Sequence, residues 1–204
     1  KDKLKLRKRC MSVNIEKIRT NLSILEYDNT VMLFDVIECF RMYGLFFRMS
    51  EELKEYMSEL GTEGRLIKIQ YEEIMLNKNE SFEALIRDYQ KGCVKIEKIV
   101  NKVKNLTKED LLDDEKILNL LGYDINVINL DEKIEPRGYG LLNNISKITK
   151  KDKETLIKEF SGVQSILAAS VQEVTELKGI SKFKALHISK ALRRIKNKTA
   201  LDRE

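Results

Sequence analysis

The chain has 204 residues, 42% of them hydrophobic and 35% charged, with a formal net charge of +5. That length holds one large or two small domains with packed cores. One proline, nine glycines and no tryptophan argue against a turn-rich β fold and for long exposed helices, and no run approaches the ~18 consecutive apolar residues of a membrane span.

No secretory signal is expected, because the N-terminal KDKLKLRKR has no apolar run behind it. The chain begins at Lys1 and reads as a piece of something longer. Cys10, Cys39 and Cys93 are odd in number and far apart, there is no CxxC pair, and His187 is the single histidine. This pattern provides neither a zinc site nor a disulfide framework. Buried, reduced thiols in a cytoplasmic protein are expected.

In chain order, Leu4 to about Ile24 carries a helical stripe through Met11, Ile15, Ile18 and Leu22. Asn29 to Phe47 is apolar around much of its girth and is expected to be a helix buried on several sides. Ser50 reads as an N-cap for EELKEYMSEL, and Leu60 to Gly64 as a short break ended by glycines. A helical period resumes from Arg65 to about Met75, and Ser81 can cap the next helix, FEALIRDYQK. Val94 to Val103 fits a helix better than a strand. Thr107 with Asp110 imitates a capping box before Leu111 and Leu112, and a further helix runs to Gly122. Asp113, Asp114 and Glu115 suit an acidic helix start better than a metal site. Asp124 to Glu135 is acidic, poor in apolar residues, and reads as a linker.

At Pro136 the composition turns basic. Residues 136–204 hold 15 Lys/Arg against 7 Asp/Glu, a net +8; residues 1–135 hold 23 against 26, a net −3. The predicted boundary separates a helical spine, 1–135, from a small C-terminal domain, 136–204. Five short helices are expected in that domain: Gly138 to Asn144; one capped by Thr149-Lys150-Lys151-Asp152; one behind a Ser161-to-Gln164 capping box; one behind a Ser170-to-Glu173 box; and a last from Ser181 or Lys182 to about Ile195. With no strand pattern, the fold class is all-α.

The window Val174 to Ile188 carries the chemistry. A helix ends, a tight turn Gly179-Ile180-Ser181 follows, and a second helix begins, with Ala185 small enough for close helix approach. Gly179 takes positive φ at no steric cost. Ile180 anchors the turn in the core. Amides from Gly179 to Lys182 then face outward at a helix N-terminus, which favours an anion. Lys178, Lys182 and Lys184 add charge around them. The arrangement resembles a helix-hairpin-helix motif, whose turn reads Gly-hydrophobic-Gly; Ser181 stands where the second glycine is usual. A degenerate copy, Leu141 to Thr149, has no glycine, and is expected to pack, with Lys147, Lys150 and Lys151 as auxiliary cations. Such contacts hold the DNA backbone without reading bases.

Three stretches resemble the non-catalytic part of the DisA family of DNA-integrity-scanning diadenylate cyclases: Asn21-Leu-Ser-Ile-Leu-Glu26, Glu59-Leu-Gly-Thr-Glu-Gly-Arg-Leu-Ile-Lys-Ile-Gln70, and Pro136-Arg-Gly-Tyr139 running into the hairpin region. Leu111-Leu-Asp-Asp-Glu115 and Leu120-Leu-Gly-Tyr123 fit as well. The resemblance covers nearly the whole chain. It implies a spine followed by a helix-hairpin-helix domain similar to one in RuvA, with branched or junction DNA as partner. It also implies an octameric parent whose cyclase domain makes cyclic di-AMP from ATP with Mg or Mn, and whose synthesis bound DNA inhibits. The Asp-Gly-Ala and Arg-His-Arg strings of that cyclase domain do not occur here. This chain is therefore expected to have no cofactor and no catalytic residue of its own, and no membrane partner. The competing reading is a helical oligomerisation scaffold with minor DNA affinity, motivated by the apolar excess from Val31 to Phe47.

Overall fold

The computed structural model describes residues 2–27, 31–61 and 65–201. Among them are eleven helices and no strand: α1 (Asp2–Tyr27), α2 (Leu33–Leu60), α3 (Arg65–Tyr89), α4 (Ile96–Lys104), α5 (Lys108–Leu112), α6 (Asp114–Leu121), α7 (Tyr139–Asn143), α8 (Lys150–Glu159), α9 (Val163–Ala168), α10 (Val171–Glu176) and α11 (Lys182–Leu201). The fold is all-α. None of the described helices is long and apolar enough to cross a membrane. The chain divides into two compact units, one of Lys1–Leu25 with Thr30–Ile134, the other of Glu135–Glu204 with Glu26–Asn29.

The first unit is built on α2. Its apolar residues recur at helical spacing, so Val36, Ile37, Phe40, Tyr43, Phe46 and Phe47 are all buried. Phe82 of α3 packs its ring against Phe40, Tyr43 and Phe47, with centroids 4.7–5.2 Å apart. Met11, Ile18 and Leu25 bring α1 onto the same core. Gly44 lets α5 approach closely: a Cβ there would collide with the side chain of Leu111, which is itself buried.

Four local expectations are corrected in this unit. Ser50 does not start a helix. It lies inside the 28-residue α2, fully buried, with its hydroxyl 3.0 Å from Tyr71 Oη. Ser81 likewise lies inside α3. In both cases the apolar stripe continues through the serine, and packing of that stripe overrides a capping preference worth about 1 kcal/mol. The thiols are not all buried: Cys39 is, but Cys10 and Cys93 are exposed, and all three are free. Finally, 124–135 is no detached linker. Leu33 N–H donates to the Glu132 carbonyl and Phe34 N–H to the Leu130 carbonyl, each at 3.0 Å, while Ile134 N–H donates to the Val31 carbonyl. The segment thereby satisfies amides that the first turn of α2 leaves unpaired, and Ile128, Leu130 and Ile134 pack on the core. Gly61, with φ 55°, ends α2 as expected; Thr62 to Gly64 lie outside the described residues.

Shorter elements follow their local signals. Val94 to Val103 gives helix α4 rather than a strand. Thr107 Oγ1 accepts from Asp110 N–H while Asp110 accepts from Thr107 N–H, a reciprocal capping box for α5. Asp113 caps α6, and left-handed Gly122 closes it.

The second unit has its own core of Leu141, Leu142, Ile145, Leu156, Val163, Ile166, Val174, Ile180, Ala185, Ile188 and Leu192. Reciprocal boxes cap α8 (Thr149 with Asp152) and α10 (Ser170 with Glu173). The expected Ser161-to-Gln164 box is absent. Gly162, at φ 100°, is the N-cap of α9, and Glu135 Oε1 accepts from Gln164 N–H at 3.1 Å. A carboxylate distant in sequence does what the local serine was expected to do, and it sits where a Cβ on residue 162 would collide with it.

Candidate nucleic-acid interface

The second unit repeats itself at an offset of 32 residues. Gly138 and Ser170 are the N-caps of α7 and α10; a tight turn follows each helix; Thr149 and Ser181 stand immediately before α8 and α11. Core positions correspond as well, since Leu142 pairs with Val174 and Leu156 with Ile188, all four fully buried. Each half is thus a short helix, a tight turn and a second helix, held by the same inward-facing positions.

The turns themselves match. Gly179 has φ 95°, the conformation that glycine was expected to supply, and nothing lies within 4 Å of a Cβ built on it. The equivalent residue of the upstream turn is Lys147, at φ 61°, the single non-glycine residue with positive φ among those described. The upstream turn therefore adopts the left-handed step without glycine, at a cost of about 1–2 kcal/mol. Ile180, 6% exposed, anchors the downstream turn, and its N–H closes on the Leu177 carbonyl.

At the start of α11, Lys184 N–H donates to Ser181 Oγ and Ala185 N–H to the Ser181 carbonyl. Ser181, occupying the place of a second glycine, therefore serves as a helix cap. The N–H groups of Lys182 and Phe183 fall in the first turn, where a helix has no internal partner for them. Lys150 and Lys151 hold the same place in α8. The macrodipole adds partial positive charge at both helix starts.

Of the cations singled out in the sequence, Lys147, Lys150, Lys151, Lys178 and Lys182 are exposed around the two turns, as is Gly179. Lys184 is placed differently. Its Nζ lies 2.8 Å from Asp152 Oδ2, so it is engaged within the protein. Asp152 and Lys184 are equivalent residues of the two halves, the third of α8 and the third of α11, and their ion pair ties the halves together. Asp152 is 4% exposed and also accepts from the Thr149 N–H and hydroxyl, both at 2.8 Å. Burial pushes its carboxyl up, but the hydrogen bonds from Lys184 and Thr149 outweigh this and hold it below the usual carboxylate range. His187 forms a second tie: its Nε2 lies 2.9 Å from the Ser146 carbonyl of the upstream turn. A carbonyl only accepts, so this ring nitrogen carries the proton.

Sequence reasoning missed three features: the ties made by Asp152 and His187, the left-handed Lys147, and Phe183, which is 82% exposed beside the downstream turn. Chemically, the arrangement offers two cation-ringed helix starts on one small core, suited to anionic oxygens spaced along a polymer.

An all-α chain with a long-helix unit and a small basic unit of paired turns is a class defined by its architecture; comparison with known proteins specifies it further. Residues 11–130 match the family model for the DisA bacterial checkpoint controller linker region, and the chain belongs to the DisA family. It is 35% identical over 191 residues to the DNA integrity scanning protein DisA of Bacillus subtilis strain 168. It is 32% identical over 189 residues to the proteins of that name from Clostridium botulinum strain Langeland and Clostridioides difficile strain 630. Each alignment covers 93% of this chain and 53% of the relative, so the chain spans about half the length of the curated relatives it matches. Apart from Glu26–Asn29, the residues matched by the family model belong to the first unit; the 191-residue alignment necessarily extends into 135–204.

Proposed function

We propose that the second unit is a helix-hairpin-helix module that binds DNA through its phosphates, without sequence specificity and with preference for branched or junction structures. The observation that carries this reading is the matched pair of tight turns, each with one left-handed residue, each opening a helix, and each ringed by exposed lysines. Phosphate contacts of this kind position a duplex and leave bases unread. Paired turns related by a repeat suit the two strands of one duplex.

In a longer protein like its relatives, this chain would report the state of DNA to a cyclase domain that makes cyclic di-AMP from ATP with Mg or Mn, in a self-associated, cytoplasmic assembly. The chain alone should form no product from ATP and Mn²⁺. The DNA reading is tested by titrating a four-way junction and a linear duplex at two salt concentrations. Tighter binding to the junction, weakening as salt rises, is expected. No binding at low salt, or binding indifferent to salt, contradicts it.

A second reading, self-association through the first unit, is favoured by the exposed apolar side chains Phe34, Leu45 and Leu112. Light scattering that gives a monomer at high concentration would remove it.

A further inference from the structure

We infer that Phe183 is a stacking residue for an uncovered nucleobase, and that it gives the second turn a preference for DNA whose stack is interrupted. The inference rests on the DNA-binding reading and deepens it.

Phe183 is the second residue of α11, one position after Lys182, and 82% of it faces solvent. The fold does not require a ring there. Ala185, Ile188 and Leu192 turn the opposite face of α11 into the core, and the equivalent residue of the repeat is an exposed lysine, Lys151. At 100° per residue, Leu186, Lys190, Arg193 and Arg194 share the outward face with Phe183. Leu186 is 57% exposed and the three cations are exposed. The twenty residues of α11 include no Asp or Glu. The face thus reads as an aromatic tip at the phosphate-facing turn, backed by a cationic track. From Phe183 to Arg194 the track runs about 16 Å, or roughly five base-pair steps.

Charge of one sign along the whole face fits a polyanion and disfavours an acid-balanced protein surface. A phenyl ring gains nothing from a phosphate; its partner on such a polymer is the flat face of a base. Bases in a closed duplex cover one another, so that face is available only where stacking is broken, at a branch, gap or unpaired nucleotide. The first half has Lys151 and Glu154 where the second has Phe183 and Leu186. The two turns therefore divide the work: one holds continuous backbone, the other holds backbone beside a discontinuity.

The test uses the whole chain with two DNAs of equal length. One is a fork with 2-aminopurine as the first unpaired base; the other is a relaxed, covalently closed duplex circle, which has neither an end nor an unpaired base. Wild type should bind the fork and quench its fluorescence. Phe183→Ala should abolish the quenching and weaken fork binding about tenfold, the scale of one base–aromatic stack, with closed-duplex affinity and salt slope unchanged. Phe183→Tyr should restore both, and Phe183→Leu should not. Equal losses on both DNAs, no loss on either, or full rescue by leucine would overturn the stacking role while leaving DNA binding intact. Failure of wild type to bind either DNA would overturn the DNA reading and this inference with it.

Discussion

The two turns of the second unit reach one backbone conformation by different means. At Gly179 the left-handed step is free, because no Cβ opposes it. At Lys147 the same step is strained, and the surrounding structure imposes it: Ile145 is buried just before it, the Thr149–Asp152 box caps α8 just after it, and His187 holds the Ser146 carbonyl from α11. The difference shows that a turn can be kept by its tertiary frame when its own sequence lacks the residue that would favour it. The upstream copy was expected to be a packing element with auxiliary charge. Its geometry makes it a structural equal of the downstream copy.

That comparison can be tested by substitution. The largest effect is expected at Asp152, which serves both halves. Asp152→Ala removes the reciprocal cap of α8 and leaves Lys184 without its partner. A loss of about 2 kcal/mol should appear in urea denaturation, less than for a fully buried pair because Lys184 is partly exposed. A loss no greater than that of an exposed alanine substitution would mean that the halves are not coupled there. Next, Gly179→Val should cost roughly 1–2 kcal/mol. The cost is conformational rather than steric, since space for a Cβ is open. Lys147→Gly has the opposite sign. Relief of the left-handed strain exceeds the added freedom of the unfolded chain, and a gain of about 0.5 kcal/mol is expected. If both turns were ordinary, the two substitutions would not move stability in opposite directions.

The smallest effect is on pH dependence. The Asp152 carboxyl is depressed in the folded state, so its contribution is present above its unfolded pKa of about 4 and is lost as pH falls through the lower folded value. Acid titration followed by circular dichroism should show wild type losing stability over that window. Asp152→Asn should remove that part of the pH dependence and be less stable at neutral pH.

Much of this fold was legible because its signals are local. The boxes at Thr107, Thr149 and Ser170 each span four residues, and Gly61 and Gly122 end helices by their own conformational freedom. What escaped was non-local. Ser50 and Ser81 look like caps until the stripe on either side is packed against its neighbours. The cap of α9 comes from Glu135, and the acidic stretch before it is hydrogen-bonded to the start of α2. At the candidate interface the lysines and Gly179 could be read directly. The pairing of Lys184 with Asp152 could not, because it depends on two helix starts 32 residues apart meeting on one core. Nor could the turn at Lys147, where a strained backbone leaves no residue signature.

On the proposed reading, both turns face DNA and the first unit does not. Amide chemical shifts of the isotope-labelled whole chain, followed while a short duplex is added, address it directly. The largest movements are expected at Lys147 to Lys151 and at Lys178 to Phe183, with α2 and α3 unmoved. Largest movements in the first unit, or none at either turn, would contradict it.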